Sequence, residues 1–311
     1  MKLPKQRFVA TNSLAVLIAA PDEDVHAQHV IACLSKRGIS AACMSAQQFV
    51  EVRSEWSPSG PLTVEIAGRP WRISESTTVW WRRPGVAEQR TGSELEDRLV
   101  AEEVAALLPG VLAAVGVRWV DAPWVLSRAR LKPLQLAVAQ TTGASIPATM
   151  VTGSPAAASL FASCGRVLAK AASTGVGIAP HVAVVPEAEL GRVAACPTTL
   201  QRPVEAVADV RVVTIGKTAY RWIRQRNGSE PVDWRAADPR GSAFAFSERP
   251  VSNSPVEIAQ RLGLTFSVQD WLQTDSHDVF LEVNPQGQWL FLDRADEILV
   301  PALADLLALK P

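Results

Sequence analysis

The sequence predicts a mixed fold with α/β and α+β parts. In residues 14–84, apolar runs of strand length alternate with helical segments, a pattern typical of an α/β layer. In the last third of the chain, several strands are separated by turn residues and accompanied by two helices. With 311 residues, the chain is long enough for two or three subdomains that share one cleft.

The N-terminal part is predicted to begin with a buried strand and a helix. The apolar run 14–20 is too short to cross a membrane, and the acidic turn Pro21-Asp22-Glu23-Asp24 indicates a helix start. The predicted elements are a strand at 14–20, a helix at 24–37, a strand at 40–44, a hairpin around Gly60 and Gly68, a strand at 79–84 ended by Pro84, and a helix at 93–115.

The middle of the chain is predicted to contain two helices and two short strands. Gly143 ends the first helix, because glycine readily adopts the left-handed conformation that follows a helix. Ser154 and Pro155 begin the second, in keeping with the preferences of helix N-termini. The elements are a helix at 127–142 that carries Lys132 and Gln135, a strand at 148–151, a helix from 154, and a strand at 166–170 followed by a loop of small residues.

The last third of the chain is predicted to be rich in strands. Segment 227–251 contains many Gly, Pro, Ser and charged residues, so it is predicted as a long surface loop of the kind that often serves function. The predicted elements are strands at 198–204, 209–215, 219–224, 266–273, 279–284 and 289–292, with helices near 254–263 and 300–309.

Composition limits the partners and the compartment of the protein. Lys plus Arg and Asp plus Glu each number 31, so the net charge does not favour nucleic acid or an anionic membrane as the main partner. The four cysteines lie far apart, and neither they nor the four histidines form a spaced group typical of zinc binding. We therefore expect free thiols in a soluble, cytoplasmic protein.

Within the apolar run 279–285, Glu282 and Asn284 form a polar interruption. Residues two apart on a strand share a face, and polar side chains on an apolar wall are costly unless they bind something. Hard oxygen ligands suit a magnesium ion that carries phosphate, which indicates nucleotide chemistry. A polar strand face that simply meets water is an equal alternative from this pattern alone.

The spacing of the two last long strands predicts a third member of this group. If 266–273 and 279–284 form a hairpin with the five-residue loop 274–278, Asp270 stands opposite Glu282. The same register places Val268 opposite Asn284 and Leu272 opposite Phe280. A four-residue loop is expected to send Asp270 to the other face, so the magnesium hypothesis predicts a loop of odd length.

Several motifs follow one another in order from residue 79 to the C-terminus. The most distinctive are Trp-Arg-Arg-Pro at 81–84, Asp-Trp-Arg at 233–235 and Leu-Glu-Val-Asn-Pro-Gln-Gly-Gln-Trp at 281–289. The others lie at 131–136, 146–152, 170, 196–201 and 209–212. As a set, these motifs resemble the ATP-grasp ligases, and more narrowly the microviridin-type peptide maturases that make graspetides.

The resemblance implies an ATP-grasp fold of three parts. These are an N-terminal α/β domain at 1–122, a central lid domain at 123–199 and a C-terminal domain at 200–311, with ATP between the last two. Residues 1–78 contribute only a compatible pattern.

The resemblance also implies residues that bind ATP and Mg²⁺. Lys132 and Lys170 match the two lysines that contact phosphate, and Arg211 matches the phosphate-binding arginine, whose planar fork suits phosphate. Of these, Arg211 and Lys170 are the expected catalytic residues. The expected magnesium ligands are Asp270, Glu282 and Asn284.

The hinge between the last two domains is expected to meet adenine through its backbone. The family usually has Gln-Glu at the start of this hinge, whereas this chain has Gln-Arg, so recognition of the ribose by a carboxylate either passes to Glu205 or is lost. The lid loop 173–177 also has fewer glycines than many ATP-grasp lids. The matching hinge residues are Gln201, Arg202, Pro203 and Val204.

A further set of residues is expected to meet an acidic peptide substrate. The arginines can pair with carboxylates, and the tryptophans can pack against the peptide. An equal alternative is that Trp-Trp-Arg-Arg at 80–83 is a strand end whose aromatic residues belong to the core. The expected peptide contacts are Arg82, Arg83, Asp209, Trp234 and Arg235.

The resemblance implies an ATP- and Mg²⁺-dependent ligase that phosphorylates Asp or Glu side chains of a ribosomally made precursor peptide and closes ω-ester or ω-amide macrocycles. The expected partner is that precursor, with its leader and core, and a homodimer is left open. One alternative is a ligase that adds a free amino acid to a protein or a small carboxylate. Another is a non-catalytic relative that binds a nucleotide or a peptide.

Overall fold

The computed structural model describes residues 10, 12–88, 92–171, 182–228 and 230–309. The chain divides into two compact units, one of Met1–Leu126 with Arg294–Pro311 and one of Ser127–Asp293. The division into three domains at 1–122, 123–199 and 200–311 stays a prediction. Within the described ranges, no helix is long and apolar enough to cross a membrane.

The helices and strands follow in chain order. Up to residue 129 they are β1 (Asn12–Ser13), β2 (Val16–Ile18), α1 (Val25–Lys36), β3 (Ala41–Cys43), α2 (Ala46–Glu51), β4 (Ser54–Glu55), β5 (Leu62–Ile66), β6 (Arg69–Ile73), β7 (Thr78–Trp80), α3 (Glu94–Val115), β8 (Arg118–Val120) and α4 (Pro123–Ala129). They continue with α5 (Lys132–Thr141), β9 (Thr149–Thr152), α6 (Pro155–Ala162), β10 (Leu168–Lys170), β11 (Val182–Val184), a 3₁₀ helix (Glu187–Ala194), β12 (Thr198–Gln201), β13 (Ala208–Ile215), β14 (Thr218–Gln225), α7 (Trp234–Ala237), β15 (Ala245–Ser247), α8 (Ser254–Arg261), β16 (Phe266–Gln273), β17 (Asp278–Asn284) and α9 (Ala295–Ala308).

The first unit contains a parallel sheet with the strand order β3-β2-β7-β8. Val16, Leu17 and Ile18 of β2 have no exposed surface, as is usual for parallel strands that are covered on both faces. The segments predicted as strands at 14–20 and 40–44 contain β2 and β3, whereas the one predicted at 79–84 overlaps β7 only at Val79 and Trp80. Strand β8 and helix α2 are not among the sequence-based predictions.

Helices α1 and α3 begin at the capping residues that predict them. The Asp24 carboxylate accepts a hydrogen bond from the backbone N–H of Ala27 at 2.9 Å, and the Ser93 hydroxyl accepts one from Glu96 at 3.4 Å. Helix α3 ends at Gly116, whose φ of 80° lies in the left-handed region. The predicted helices at 24–37 and 93–115 are confirmed.

A second sheet of the first unit has the strand order β1-β6-β5-β4. Strand β5 buries alternate residues, and its inward side chains Leu62 and Val64 join a core cluster with Leu108 and Leu112 of α3. The turn between β5 and β6 lies at Gly68, where a hairpin is predicted. Local periodicity and turn residues thus account for this layer.

The second unit contains a five-stranded antiparallel sheet with the order β15-β14-β13-β16-β17. Every residue of the central strand β13 is buried. Helix α5 packs beside β17, and α8 packs on β13, β14 and β16. This sheet carries Arg211 on β13 and the three predicted magnesium ligands on β16 and β17.

A separate four-stranded sheet of the second unit, β11-β10-β12-β9, carries Lys170 at the end of β10. Behind it, Leu200 of β12 packs in a cluster with Ala158 of α6 and Val193 of the 3₁₀ helix. The Ser154 hydroxyl caps α6, as predicted. Residues 172–181, which include most of the predicted small-residue loop, lie outside the described residues.

Two predicted elements of the second unit are wrong, and one is incomplete. The helix at 127–142 is split into α4 and α5, because the ring of Pro133 would clash with the Ala129 carbonyl in a continuous helix. The strand at 289–292 is a turn, in which the Leu292 N–H donates to the Trp289 carbonyl at 3.1 Å. The predicted loop 227–251 contains α7 and β15.

Candidate active site

A cavity in the second unit is lined by most of the residues predicted to bind ATP. An apolar surface beside convergent charged groups is typical of a small-molecule site. Its apolar lining includes Pro147, Leu168, Val182, Pro203, Val204, Leu272 and Leu281. Its polar lining includes Lys132, Lys170, Gln201, Arg202, Asp209, Arg226, Asp233, Arg235, Asp270, Glu282 and Asn284.

The hairpin of β16 and β17 brings the predicted magnesium ligands to one face. Asp270 pairs with Glu282, and Val268 pairs with Asn284, as the sequence predicts. The Asn284 Nδ2 atom lies 3.3 Å from Asp270 Oδ2 and 3.2 Å from Glu282 Oε1. Two carboxylates and one amide therefore converge.

The route to this convergence differs from the prediction. Strand β16 ends at 273 and β17 begins at 278, so the loop 274–277 has four residues rather than five. A β-bulge with Leu281 as its extra residue restores the shared face of Asp270 and Glu282. Beyond the bulge, Leu272 pairs with Val279 and not with Phe280. The predicted odd-length loop is therefore wrong, and the bulge serves in its place.

Two arginines contact the Asp270 carboxylate. Arg211 Nη1 lies 2.6 Å from Asp270 Oδ1, and Arg235 Nη2 lies 3.3 Å from Asp270 Oδ2. Arg211 is buried and also donates to the Gln288 carbonyl at 2.8 Å. Burial lowers the pKa of Arg211, and the negative charge of Asp270 opposes that effect. The predicted phosphate-binding arginine thus faces a predicted magnesium ligand.

Glu282 interacts with both of the predicted phosphate-binding lysines. Lys132 Nζ is 3.1 Å from Glu282 Oε2. Burial by itself raises the pKa of Glu282, but Lys132 and Lys170 outweigh it and hold that pKa at about 2. Burial lowers the pKa of Lys170, whereas the charge of Glu282 raises it. The two lysines and Glu282 therefore favour one another's charged forms.

The predicted adenine hinge lines the same cavity. Gln201, Arg202, Pro203 and Val204 all contribute to its lining. Glu205 is exposed and is not among the lining residues, so its placement does not support the expected ribose contact.

Arg202 has a clear structural partner. Its guanidinium donates to the backbone carbonyls of Phe161 and Gly165, and to that of Arg166 at 3.0 Å. It also lies 4.6 Å from the centroid of the Phe161 ring. A cation is favourable at the C-terminal end of a helix, so Arg202 caps α6 at a position where the resembled family usually has glutamate.

Asp209, predicted to meet the peptide, is engaged in ion pairs. Arg224 Nη1 lies 2.8 Å from one of its carboxylate oxygens, and Arg226 Nη1 lies 2.9 Å from the other. Arg224 Nη2 is also 2.7 Å from Glu230. These contacts tie β13 to the segment that follows β14, which is a structural role.

The Asp-Trp-Arg motif forms the start of the short helix α7. The Asp233 carboxylate caps the helix by accepting from the Arg235 N–H at 3.0 Å. Trp234 packs edge-on against Phe244, with 5.0 Å between ring centroids. The Arg235 guanidinium lies 4.7 Å from the Trp234 ring centroid. Asp233 lines the cavity although it is absent from the predicted site, and the motif itself was the signal that pointed to it.

Arg82 and Arg83 belong to the first unit. Arg82 is 0 % exposed, and its Nε lies 3.5 Å from Asp24 Oδ2. Trp80 is also buried. This burial argues against the expected peptide contact of Arg82 and favours a strand end that belongs to the core. Arg83 is exposed.

Magnesium fits the donor chemistry of Asp270, Glu282 and Asn284. No group of three or more His, Cys, Asp and Glu side chains suited to a metal occurs in the part of the chain that the structure describes. The Asn284 amide must therefore complete the set, with its oxygen turned to the ion, whereas its NH₂ group now faces both carboxylates. Such oxygen ligands suit Mg²⁺ and leave positions for phosphate. The predicted lid residues 173–177 lie outside the described residues.

No protein-family model matches the sequence, and no curated protein matches it. Solved structures match it over nearly its whole length. A RiPP-associated ATP-grasp ligase from Chryseobacterium gregarium, in complex with ADP and a leader and core peptide, has a TM-score of 0.83 at 22% identity, covering 95% of this chain and 96% of that one.

Two further structures show the same likeness. The macrocyclase MdnC from Microcystis aeruginosa MRC, bound with the precursor peptide MdnA, has a TM-score of 0.80 at 19% identity over 94% of this chain and 98% of its own. The ATP-grasp ligase PsnB, complexed with Mg, ADP and a phosphomimetic variant of a minimal precursor, has a TM-score of 0.73 at 20% identity. The match covers 95% of this chain and 98% of that one. The chain therefore has the ATP-grasp fold.

Proposed function

We propose that this protein is an ATP- and Mg²⁺-dependent ligase that phosphorylates Asp or Glu side chains of a ribosomally made precursor peptide and closes ω-ester or ω-amide macrocycles. The carrying observation is that Lys132 and Lys170 line the same cavity as Asp270 and Glu282, while Arg211 pairs with Asp270, in a chain with the ATP-grasp fold. Structures of similar ligases contain precursor peptides, and two of them also contain ADP, which supports the substrate class.

The proposed reaction has two steps. A carboxylate is a poor electrophile, so a carboxylate oxygen of the peptide would attack the γ-phosphorus of ATP, and the bond to ADP would break. A Ser or Thr hydroxyl, or a Lys amine, would then attack the acyl carbon. Phosphate would leave, the nucleophile would lose its proton, and an ester or amide would remain.

The residues that line the cavity, together with Arg211 beside Asp270, suit separate parts of this reaction. Lys132, Lys170 and Arg211 would bind phosphoryl oxygens and offset their charge. Mg²⁺ at Asp270, Glu282 and Asn284 would offset the charge of the transferred phosphoryl group. The backbone of 201–204 would meet adenine, while Arg235 and Trp234 would meet an acidic segment of the peptide. The reducing cytoplasm, which supplies ATP, is the compartment that we propose.

Mass spectrometry of a candidate precursor tests this function. The protein is incubated with ATP, Mg²⁺ and peptides that contain repeated Thr or Ser and Asp or Glu. We expect the loss of one water for each ring formed, together with ADP release. Unchanged masses across a panel of such peptides would overturn the proposal, and a mass gain equal to an added amino acid would point to the alternative ligase.

A lysine variant tests whether this cavity binds the nucleotide used in the reaction. Lys170→Met removes the ammonium group at the end of β10, and Lys217→Met is the matched control on an exposed turn. We expect weaker ADP binding and no ring formation in the first variant, and wild-type behaviour in the second. Binding of ADP without any turnover of ATP in the wild-type protein would point to a non-catalytic relative.

A further inference from the structure

The side-chain amide of Gln135, on α5, forms two hydrogen bonds to the backbone of Val283 on β17 and a third to Ala129. Its Nε2 donates to the Val283 carbonyl at 2.8 Å, and its Oε1 accepts from the Val283 N–H at 3.0 Å. The Nε2 also donates at 2.6 Å to the carbonyl of Ala129, the last residue of α4. The side chain is 2 % exposed.

This contact pairs with backbone groups on the edge of the sheet that no strand of the described sheet meets. In the described part of the sheet, β17 is the last strand, and Val283 presents its N–H and carbonyl away from β16. A side-chain amide presents an N–H donor and a carbonyl acceptor side by side, as one residue of a neighbouring strand does, so Gln135 pairs with Val283 in that manner. Val283 lies between Glu282 and Asn284, and its backbone sets the direction of both side chains.

The same helix face carries Lys132. Residues three apart on a helix are neighbours on its surface, so Lys132 and Gln135 face β17 together. Lys132 accordingly reaches Glu282 at 3.1 Å. The pairing of Gln135 with Val283 therefore fixes both the strand that bears the magnesium ligands and the helix that bears a phosphate-binding lysine.

We infer that Gln135 is a positioning residue that couples the predicted magnesium site to the predicted nucleotide phosphate site through the backbone of Val283. The inference rests on the proposed function. Groups that orient metal ligands without touching the metal commonly contribute about 10–100-fold in metal affinity. We expect Gln135 to act in that range.

Two variants and one control test this role. Gln135→Met preserves the shape of the side chain and removes all three hydrogen bonds. Gln135→Glu preserves an acceptor for the Val283 N–H, and in its protonated form it also preserves one donor. Gln140→Met is the control, because Gln140 is exposed on the same helix.

Hydrogen exchange provides a readout that requires no ligand. In the wild-type protein and in Gln140→Met, the Val283 amide should be protected although it lies on a sheet edge. In Gln135→Met, exchange at Val283 should be faster, while exchange in β13 stays unchanged. Protection of Val283 that is unaffected by Gln135→Met would overturn the inference.

ADP binding measured against Mg²⁺ concentration provides the second readout. The Mg²⁺ concentration for half-maximal enhancement of ADP affinity should rise about 10–100-fold in Gln135→Met. Should that variant fail to fold, Gln135→Glu replaces it. Its Mg²⁺ requirement should be raised by a similar factor at neutral pH, and it should return toward the wild-type value as the pH falls. If Gln135→Met binds ADP normally and its Mg²⁺ requirement is unchanged, the inference is overturned while the proposed function stands. A wild-type protein that binds no nucleotide overturns the proposed function, and the inference with it.

Discussion

Arg211 and Asp270 face each other on the neighbouring strands β13 and β16, with 2.6 Å between Nη1 and Oδ1. Arg211 is 3 % exposed and Asp270 is 7 % exposed, so the pair is almost entirely removed from water. Removing one partner of a buried ion pair leaves a charge without compensation. Asp270, a predicted magnesium ligand, thus also compensates the buried charge of Arg211.

Replacing Asp270 with alanine should therefore destabilise the folded protein. We expect Asp270→Ala to lower the free energy of unfolding by about 3 kcal/mol, measured by urea denaturation, because Arg211 stays buried. The double variant Asp270→Ala with Arg211→Met should recover part of this loss. The control Asp275→Ala, on the exposed hairpin loop, should change the free energy of unfolding little. Wild-type stability of Asp270→Ala would contradict the requirement for charge compensation.

Glu282 should give the protein a specific dependence on acid. Its pKa is lowered from 4.5 to about 2: burial raises it, but Lys132 and Lys170 outweigh burial. A depressed carboxylate pKa contributes stability that is complete above pH 4.5 and is lost as the pH falls toward 2. The stability difference between wild type and Glu282→Gln, followed by urea denaturation, should therefore shrink across that window. A difference independent of pH would contradict the depressed pKa.

Gly287 permits the close packing of the turn after β17. A Cβ at this position would lie 2.7 Å from the Val268 Cβ and 3.2 Å from the Asn284 Cβ. We expect Gly287→Ala to lower the free energy of unfolding by about 1–3 kcal/mol, because the turn must shift away from β16. Gly191→Ala is the control, since nothing lies within 4 Å of its added Cβ. Equal thermal stability of the two variants would refute this account of Gly287.

Arg202 should stabilise the end of α6. Arg202→Ala leaves the Phe161, Gly165 and Arg166 carbonyls without their guanidinium donor. We expect a loss of about 1–2 kcal/mol, with faster hydrogen exchange confined to the α6 region. Arg192→Ala, which removes only an exposed ion pair with Glu189, should have a smaller effect. Unchanged exchange in α6 would show that Arg202 does not cap this helix.

Local signals account for the elements that were predicted well. Asp24 and Ser93 begin helices because their side chains satisfy backbone N–H groups within the next turn. Glu282 and Asn284 share a face because the period of a strand is two. Each of these relations joins residues that are near in sequence, so the sequence is sufficient to predict them.

The hairpin shows where such reasoning fails. The expected odd-length loop and the observed four-residue loop with a bulge at Leu281 both place Asp270 opposite Glu282. A bulge depends on how the whole strand twists and packs against the sheet, which no short segment encodes. The facing pair was therefore predictable, whereas the backbone route to it was not.

By itself, the sequence determined the residue types of the candidate site and the strand face that carries Glu282 and Asn284. Only the tertiary structure decided that Arg82 is buried, that Arg202 caps α6, and that Gln135 pairs with Val283, a residue 148 positions away. The physical reason is that hydrogen bonding and desolvation of these side chains depend on which distant segments pack around them.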